Sequence, residues 1–175
     1  YHSGVGLIYI ESLIGDIEFN ELIKNVSKIN SREELNNLFI NFSKNDLSWF
    51  IYDYIGKRQS IDLKIKKTGE NNFLVSEKNN IDLPYSVGLL KNDSIVYSKI
   101  YSKTGKIELP EVDFDYIAVN PSIKLPEFNR NNNWVYNKSN LKPLKFKFLA
   151  DLENPKYRNV FYRPEITYNL YDGIS

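Results

Sequence analysis

The 175-residue chain contains no cysteine and no methionine, and it has a single histidine. Without cysteine it cannot form a disulfide scaffold, a thiolate zinc site or a cysteine nucleophile. One histidine cannot supply a two-histidine metal site, and no apolar run approaches the roughly 20 residues of a membrane-spanning helix. The 23 basic and 22 acidic residues leave a net charge of +1, so the basic excess typical of nucleic-acid binding is missing and no nucleic-acid partner is expected.

What remains is the composition of a globular protein. Hydrophobic residues make up 42% of the chain and aromatic residues 14%, which argues against disorder. The length suits one domain or two small ones. The chain begins at Tyr1 with an apolar helical pattern and no leader, and it ends inside a patterned segment. We therefore expect it to be a piece of a longer protein.

Residues 1–56 have the periodicity of four short helices. An apolar stretch over residues 5–14 ends at Gly15, and Asp16 is the expected N-cap of the second helix. Ser31 and Glu34 form a capping box before the third helix, and Asp46 caps the fourth. The large apolar residues of these helices are expected to be buried between them: Phe19, Leu22, Phe39, Phe42, Trp49 and Phe50.

From residue 57 the period changes from 3.6 to 2. Ile61, Leu63 and Ile65 alternate with polar residues and are expected to face inward. Further strands are predicted at 73–76, 85–90, 94–101, 106–109 and 116–119, with turn residues between them. Six or seven short strands at this spacing favour an antiparallel sandwich of immunoglobulin or fibronectin type.

The end of the chain has two further characters. Residues 120–140 are rich in asparagine and predict a linker or an irregular wrap. From residue 141 a β-rich tail begins, in which Leu144, Phe146 and Phe148 alternate with lysines. This basic, aromatic stretch suits an anionic surface, but its alternation favours an amphipathic strand. We expect the tail to be the least packed part. The expected fold is α+β, divided into segments 1–56, 57–136 and 137–175.

Taken singly, the reactive residues do not define an active site. For the single histidine, His2, a structural role is favoured over metal ligation. Asp113 and Asp115 are typical of a solvated loop. Gly4 and Gly6 lack the preceding strand of a phosphate loop, and they favour close helix packing instead.

The order of local motifs carries more information. Residues 1–4 read Tyr-His-Ser-Gly before an apolar helix, and residues 45–50 read Asn-Asp-Leu-Ser-Trp-Phe. Leu109-Pro110, Asn120-Pro121 and an Asn-Arg-Asn-Asn-Asn run at 129–133 follow in that order. Over roughly residues 1–136 this order resembles the aminopeptidase N family of zinc peptidases (gluzincin type). In that family Tyr-x-Lys-Gly, an apolar helix, Gly-x-Asp-Leu-x-Trp-Phe-Phe and a small β-sandwich follow the H-E-x-x-H zinc motif. Ser3 and Asn120 stand where that family usually has Lys and Asp.

The resemblance implies that the chain is the C-terminal portion of such a metallopeptidase, after its zinc site. The phenol of Tyr1 would then be the catalytic residue that stabilises the oxyanion of the tetrahedral intermediate. Zinc is expected in the full-length parent and no cofactor in this chain. The implied partners are the rest of the parent peptidase and its peptide substrate. A bacterial periplasmic or cell-surface location is implied too, with membrane association through residues 137–175.

Two alternatives stay open. The parent can be a non-catalytic homologue whose β-sandwich is an interaction or scaffolding module, which loss of the zinc motif upstream of Tyr1 would indicate. Alternatively, the β-region belongs to an unrelated adhesin or carbohydrate-binding sandwich. That last hypothesis treats the helices as accidental, and it predicts no contact between residues 1–56 and the sheets.

Overall fold

The computed structural model describes residues 4–42, 46–122, 124–139 and 141–165 in full, and the backbone alone of residues 2–3, 168–169 and 173–174. Helices come first and antiparallel sheets follow, so the fold is α+β. Among the described helices, none has the length and apolar character needed to cross a membrane.

The helical part has three α-helices and a π-helix: α1 (His2–Ile14), α2 (Asp16–Val26), α3 (Arg32–Phe42) and the π-helix Phe50–Gly56. Gly15, not the predicted Asp16, is the N-cap of α2, and Asp16 is the first residue of that helix. Gly15 has a φ of 95°, a conformation that glycine adopts readily and that ends α1. The Asp16 carboxylate instead lies in the first turn, where the helix dipole favours a negative charge.

The two other predicted caps are present. Ser31 Oγ accepts a hydrogen bond from the Glu34 backbone N–H at 3.1 Å. Glu34 Oε2 accepts from the Asn30 N–H at 3.1 Å, one residue earlier than a standard capping box. Asp46 Oδ1 accepts from the Ser48 N–H at 2.9 Å. Short polar side chains therefore satisfy N–H groups at the start of both helical segments.

The helices pack on one another through their aromatic residues, as predicted. Of the six residues expected to be buried, Leu22, Phe39, Trp49 and Phe50 are buried, and Phe19 and Phe42 are partly buried against the same core. The Phe50 ring lies 5.8 Å from the Phe39 ring and 5.7 Å from the Trp49 ring, between ring centroids.

Seven strands form two antiparallel sheets. They are β1 (Leu63–Lys67), β2 (Asn72–Glu77), β3 (Tyr85–Lys91), β4 (Ser94–Tyr101), β5 (Gly105–Glu108), β6 (Tyr116–Val119) and β7 (Trp134–Tyr136). The first sheet has the order β1-β2-β5 and the second the order β4-β3-β6-β7. No helix lies within residues 85–109, in agreement with the sequence pattern. Asn92 and Asp93, which connect β3 and β4, both have positive φ, as a tight hairpin turn requires.

One hydrophobic core joins the helices to both sheets. Ile61, Leu63 and Ile65 are buried in it, as predicted, together with residues of α1, α3 and β3. The Tyr9 hydroxyl of α1 donates a hydrogen bond to the Pro84 carbonyl, just before β3, at 2.7 Å. The hypothesis of an unrelated sandwich predicted no such contact, and this prediction is wrong.

The asparagine-rich segment is a wrap and not a linker. It crosses back to the start of β1, where Ile61 and Glu127 form a parallel bridge. A 3₁₀ turn at Asn131–Asn133 then leads into β7, which pairs with β6. The side chains that hold this wrap in place form the polar cluster described below.

The tail contains β8 (Leu144–Phe148) and β9 (Arg158–Tyr162), which pair in parallel, and a short antiparallel pair, β10 (Tyr168–Asn169) and β11 (Gly173–Ile174). The loop before β9 contacts the second sheet, since the Tyr157 ring packs against Tyr116 and Lys156 Nζ lies over the Trp134 ring. The apolar side chains of β8 and β9 are largely exposed. This agrees with the expectation that the tail is the least packed region.

Candidate functional site

Tyr1, the predicted catalytic residue, lies outside the residues that the structure describes. The helix that follows it is firmly held. Gly6 of α1 lies against the rings of Phe50 and Tyr54, so close that a Cβ on Gly6 would be 2.6 Å from Phe50 Cε2. One turn later, Tyr9 is buried and bonded to Pro84. The close helix packing predicted for the glycines is therefore found at Gly6.

Asp113 and Asp115 lie in the loop before β6, as predicted. Asp113 forms an ion pair with Lys91, and Asp115 pairs with Lys138 at 3.1 Å. Both pairs lie at the surface, where an ion pair contributes little to stability. Gly4 has open space around it.

A buried carboxyl that the sequence analysis did not single out, Glu127, organises the wrap. Its Oε1 accepts hydrogen bonds from Asn120 Nδ2 at 2.9 Å and from Asn133 Nδ2 at 2.8 Å. Its Oε2 accepts from the Leu63 backbone N–H at 3.3 Å. A single side chain thus joins β1, the end of β6 and the 3₁₀ turn. We call Glu127, Asn120 and Asn133 the polar cluster.

The electrostatics of Glu127 are unusual. Burial raises the pKa of its carboxyl to about 7, although the hydrogen bonds from Asn133 and Asn120 act in the opposite direction. Both protonation states are therefore populated near neutral pH. Burial, and then the Glu127 charge, raise the pKa of the Tyr9 hydroxyl well above its usual value. Tyr9 consequently stays protonated and remains a donor to Pro84.

Glu127 also lines an open cleft of about 460 Å³. Its lining consists of Glu127, Phe128, Asn129, Arg130, Asn131, Glu153 and Pro155. A carboxyl with a perturbed pKa at a cleft is a candidate functional group. Here, however, the carboxyl oxygens of Glu127 accept hydrogen bonds from the chain's own amides, and no hydroxyl group among the described residues donates to them. The geometry supports a structural role that depends on pH.

No metal centre is found in the part of the chain that the structure describes, because no three His, Asp or Glu residues there come together as metal ligands. The donor set of these described residues therefore does not fit a zinc site.

Comparisons of the chain with protein-family models, with curated proteins and with solved structures found no match. The functional assignment accordingly depends on the local motifs and on the geometry described above.

Proposed function

We propose that this chain is the part of a zinc-dependent, aminopeptidase-like metallopeptidase that follows the zinc site, where it closes one wall of the cleft and supports substrate positioning. The observation that carries the proposal is the attachment of α1. This helix directly follows Tyr1, and Gly6 and Tyr9 fix it to the aromatic core and to the strand region. A rigid helix is what a catalytic residue at its start requires, because small displacements of a catalytic group cost large factors in rate.

In this proposal, the chemistry left to the chain is one hydrogen bond. The hydroxyl of Tyr1 donates to the negative charge that develops on the carbonyl oxygen of the substrate. Such a donor acts mainly in the transition state, so its loss lowers kcat more than it changes KM. Removing one oxyanion donor typically costs about 10²–10³ in rate.

The test uses the full-length parent protein and two phenylalanine variants. Tyr1→Phe removes the proposed donor, and Tyr97→Phe, at a partly buried tyrosine of β4, is the matched control. Turnover of aminoacyl anilides and zinc content are measured for both. We expect Tyr1→Phe to keep its zinc and to lose about 10²–10³ in kcat, while the control keeps its activity. Equal turnover of the two variants would contradict the role of Tyr1.

We also propose that the two antiparallel sheets form a sandwich of immunoglobulin or fibronectin type. This is supported by the shared core, to which both sheets contribute, and by the proximity of β1 to β6 and β7. Methyl NOEs between side chains of β1 and β6 are the measurement. If labelled protein gave NOEs within each sheet but none between them, the sandwich assignment would fail.

The exposed apolar residues of the tail favour a second candidate function. In this case the parent is a non-catalytic homologue, and the chain is an interaction or scaffolding module. The two candidates differ in the parent's zinc content and turnover. A full-length protein that folds, binds no zinc and turns over no aminoacyl anilide would support the scaffolding role.

A further inference from the structure

The strands β8 and β9 present an apolar face with nothing packed on it among the described residues. Residues in register in a parallel pair share one face, and the registers are Leu144 with Arg158, Phe146 with Val160, and Phe148 with Tyr162. All six side chains are exposed, Phe146 by 69%. We call these six residues the tail face. Contiguous exposed apolar side chains often mark a binding surface.

Lysines on the other side of the pair contact the loop between β8 and β9. Lys145 Nζ lies 4.8 Å from the centre of the Tyr157 ring, and Lys147 Nζ donates a hydrogen bond to the Leu152 carbonyl. The loop that holds Tyr157 packs on the second sheet through Tyr116. The tail face is the more exposed side of the pair.

The tail segment that carries this face has a positive net charge. Residues 141–165 contain six basic and three acidic side chains, a net charge of +3, whereas the whole chain carries +1 and its remainder therefore −2. Four of the lysines contact carbonyls, rings or Asp93. Neither Arg158 nor Arg163 has a side-chain partner within the described part of the chain. These two guanidinium groups, one at each end of β9, are available to a ligand.

Arg163 also borders a shallow apolar cleft of about 380 Å³ at the end of the tail face. The cleft is lined by Phe148, Leu149, Ala150, Tyr162, Arg163 and Pro164. Apolar walls and one guanidinium group, that of Arg163, give this cleft the chemistry to bind a molecule with an aliphatic chain and an anionic group. Arginine binds phosphate oxygens bidentately, and phenylalanine, leucine and tyrosine partition into the region between lipid headgroups and acyl chains.

We propose that the tail face binds the surface of an anionic phospholipid bilayer, with Phe146 and its apolar neighbours among the acyl chains and with Arg158 and Arg163 on headgroup phosphates. A second copy of this chain fits less well, because it would bring Arg158 and Arg163 of the two copies close together. This binding is peripheral, and it does not depend on the zinc chemistry proposed above.

The test is co-sedimentation of the full chain with vesicles. One set contains phosphatidylcholine alone, and the other contains equal amounts of phosphatidylcholine and phosphatidylglycerol. We expect clear binding to the anionic vesicles, weak binding to the neutral ones, and weakening of the former by salt. Absence of binding to anionic vesicles, or equal binding to both sets, would overturn the proposal.

Two matched pairs of variants locate the binding site. Phe146→Ser should lower the partition constant about tenfold, whereas Phe128→Ser, at a phenylalanine 82% exposed outside the tail face, should leave it within about twofold. The double variant Arg158→Gln/Arg163→Gln should lower anionic binding roughly thirtyfold. Lys64→Gln/Lys66→Gln removes the same net charge on β1 and should have a much smaller effect. Circular dichroism of each variant confirms its fold.

The variants also separate the alternative occupants. If Phe146→Ser and Phe128→Ser bound vesicles equally, the tail face would not be the membrane site. If the chain formed a dimer in sedimentation velocity and Phe146→Ser abolished it, a second copy would be the occupant and the proposal would be wrong.

Discussion

Substituting Gly6 with alanine tests whether the helical region is packed as tightly as it appears in α1. The added Cβ would lie 2.6 Å from Phe50 Cε2 and 2.7 Å from Tyr54 Cε1. Favourable carbon contacts lie at about 3.5–4.0 Å, so both rings have to move by roughly 1 Å relative to α1. Both rings are buried, and Phe50 is stacked between Phe39 and Tyr54. The displacement would therefore be transmitted through the aromatic core.

The magnitude follows from two opposing effects. Overpacking of a well-filled core costs about 1–3 kcal/mol, and this site is at the upper end because several rings must move together. Replacing glycine with alanine in a helix gains up to about 1 kcal/mol. We expect Gly6→Ala to lower the free energy of unfolding by about 2 kcal/mol. Gly4→Ala is the matched control in the same helix, since its Cβ meets nothing within 4 Å, and it should be neutral or stabilising by about 0.5 kcal/mol.

Urea denaturation, followed by tryptophan fluorescence, measures the free energy of unfolding of both variants. The dependence of this free energy on urea concentration (the m-value) should be the same for the two. A double variant adds a check on the mechanism. Phe50→Leu makes room for the Cβ, so Gly6→Ala should cost about 1 kcal/mol less in that background than alone. If Gly6→Ala were as stable as Gly4→Ala, or if the two costs at positions 6 and 50 simply added, the contact between α1 and the π-helix would be looser than described.

Three further predictions concern the strand region. Because the pKa of Glu127 is raised, its carboxyl contributes stability that is fully present below the unfolded-state pKa near 4.5 and is lost as pH rises through about 7. The free energy of unfolding, measured in urea from pH 4.5 to 8, should therefore fall by roughly 3 kcal/mol. Glu127→Gln should remove this pH dependence, and Glu108→Gln, at an exposed glutamate of β5, should preserve it. Asn120→Asp places a second carboxyl within hydrogen-bond distance of Glu127, so it should destabilise the protein more at pH 8 than at pH 5, and a pH-independent cost would contradict this. Gly88→Ala puts a Cβ 2.8 Å from Pro121 Cγ and should lower the free energy of unfolding by about 1–3 kcal/mol. An unchanged denaturation midpoint would contradict this and would show that the proline ring can move aside at no cost.

The fold was predictable from sequence wherever local patterns decide it. The change of period near residue 57 separates helices from strands, and the turn residues Asn92 and Asp93 mark a hairpin that is present. Parallel pairing of β8 with β9 was not predictable, because strands in parallel and antiparallel sheets alternate with the same period. The π-helix likewise depends on how Phe50 and Tyr54 pack, which the spacing of apolar residues does not specify.

The candidate site was harder to predict. Glu127 lies in a polar, asparagine-rich segment where a charged residue is expected to be exposed. Its burial depends on contacts with Leu63, 64 residues away in the chain, and no local signal reports such a contact. The role of Tyr1 rests on the resemblance of its motif to one family, and it stays a prediction until the parent protein is assayed.

The hydrogen bond from Tyr9 to Pro84 spans 75 residues, and this separation has a consequence for the order of folding. During synthesis α1 leaves the ribosome long before β3 exists, so its apolar surface has no complete core to join. The loss of chain entropy on closing such a long loop is only repaid once both partners pack. The helices and the first half of the strands should consequently fold together, late and cooperatively.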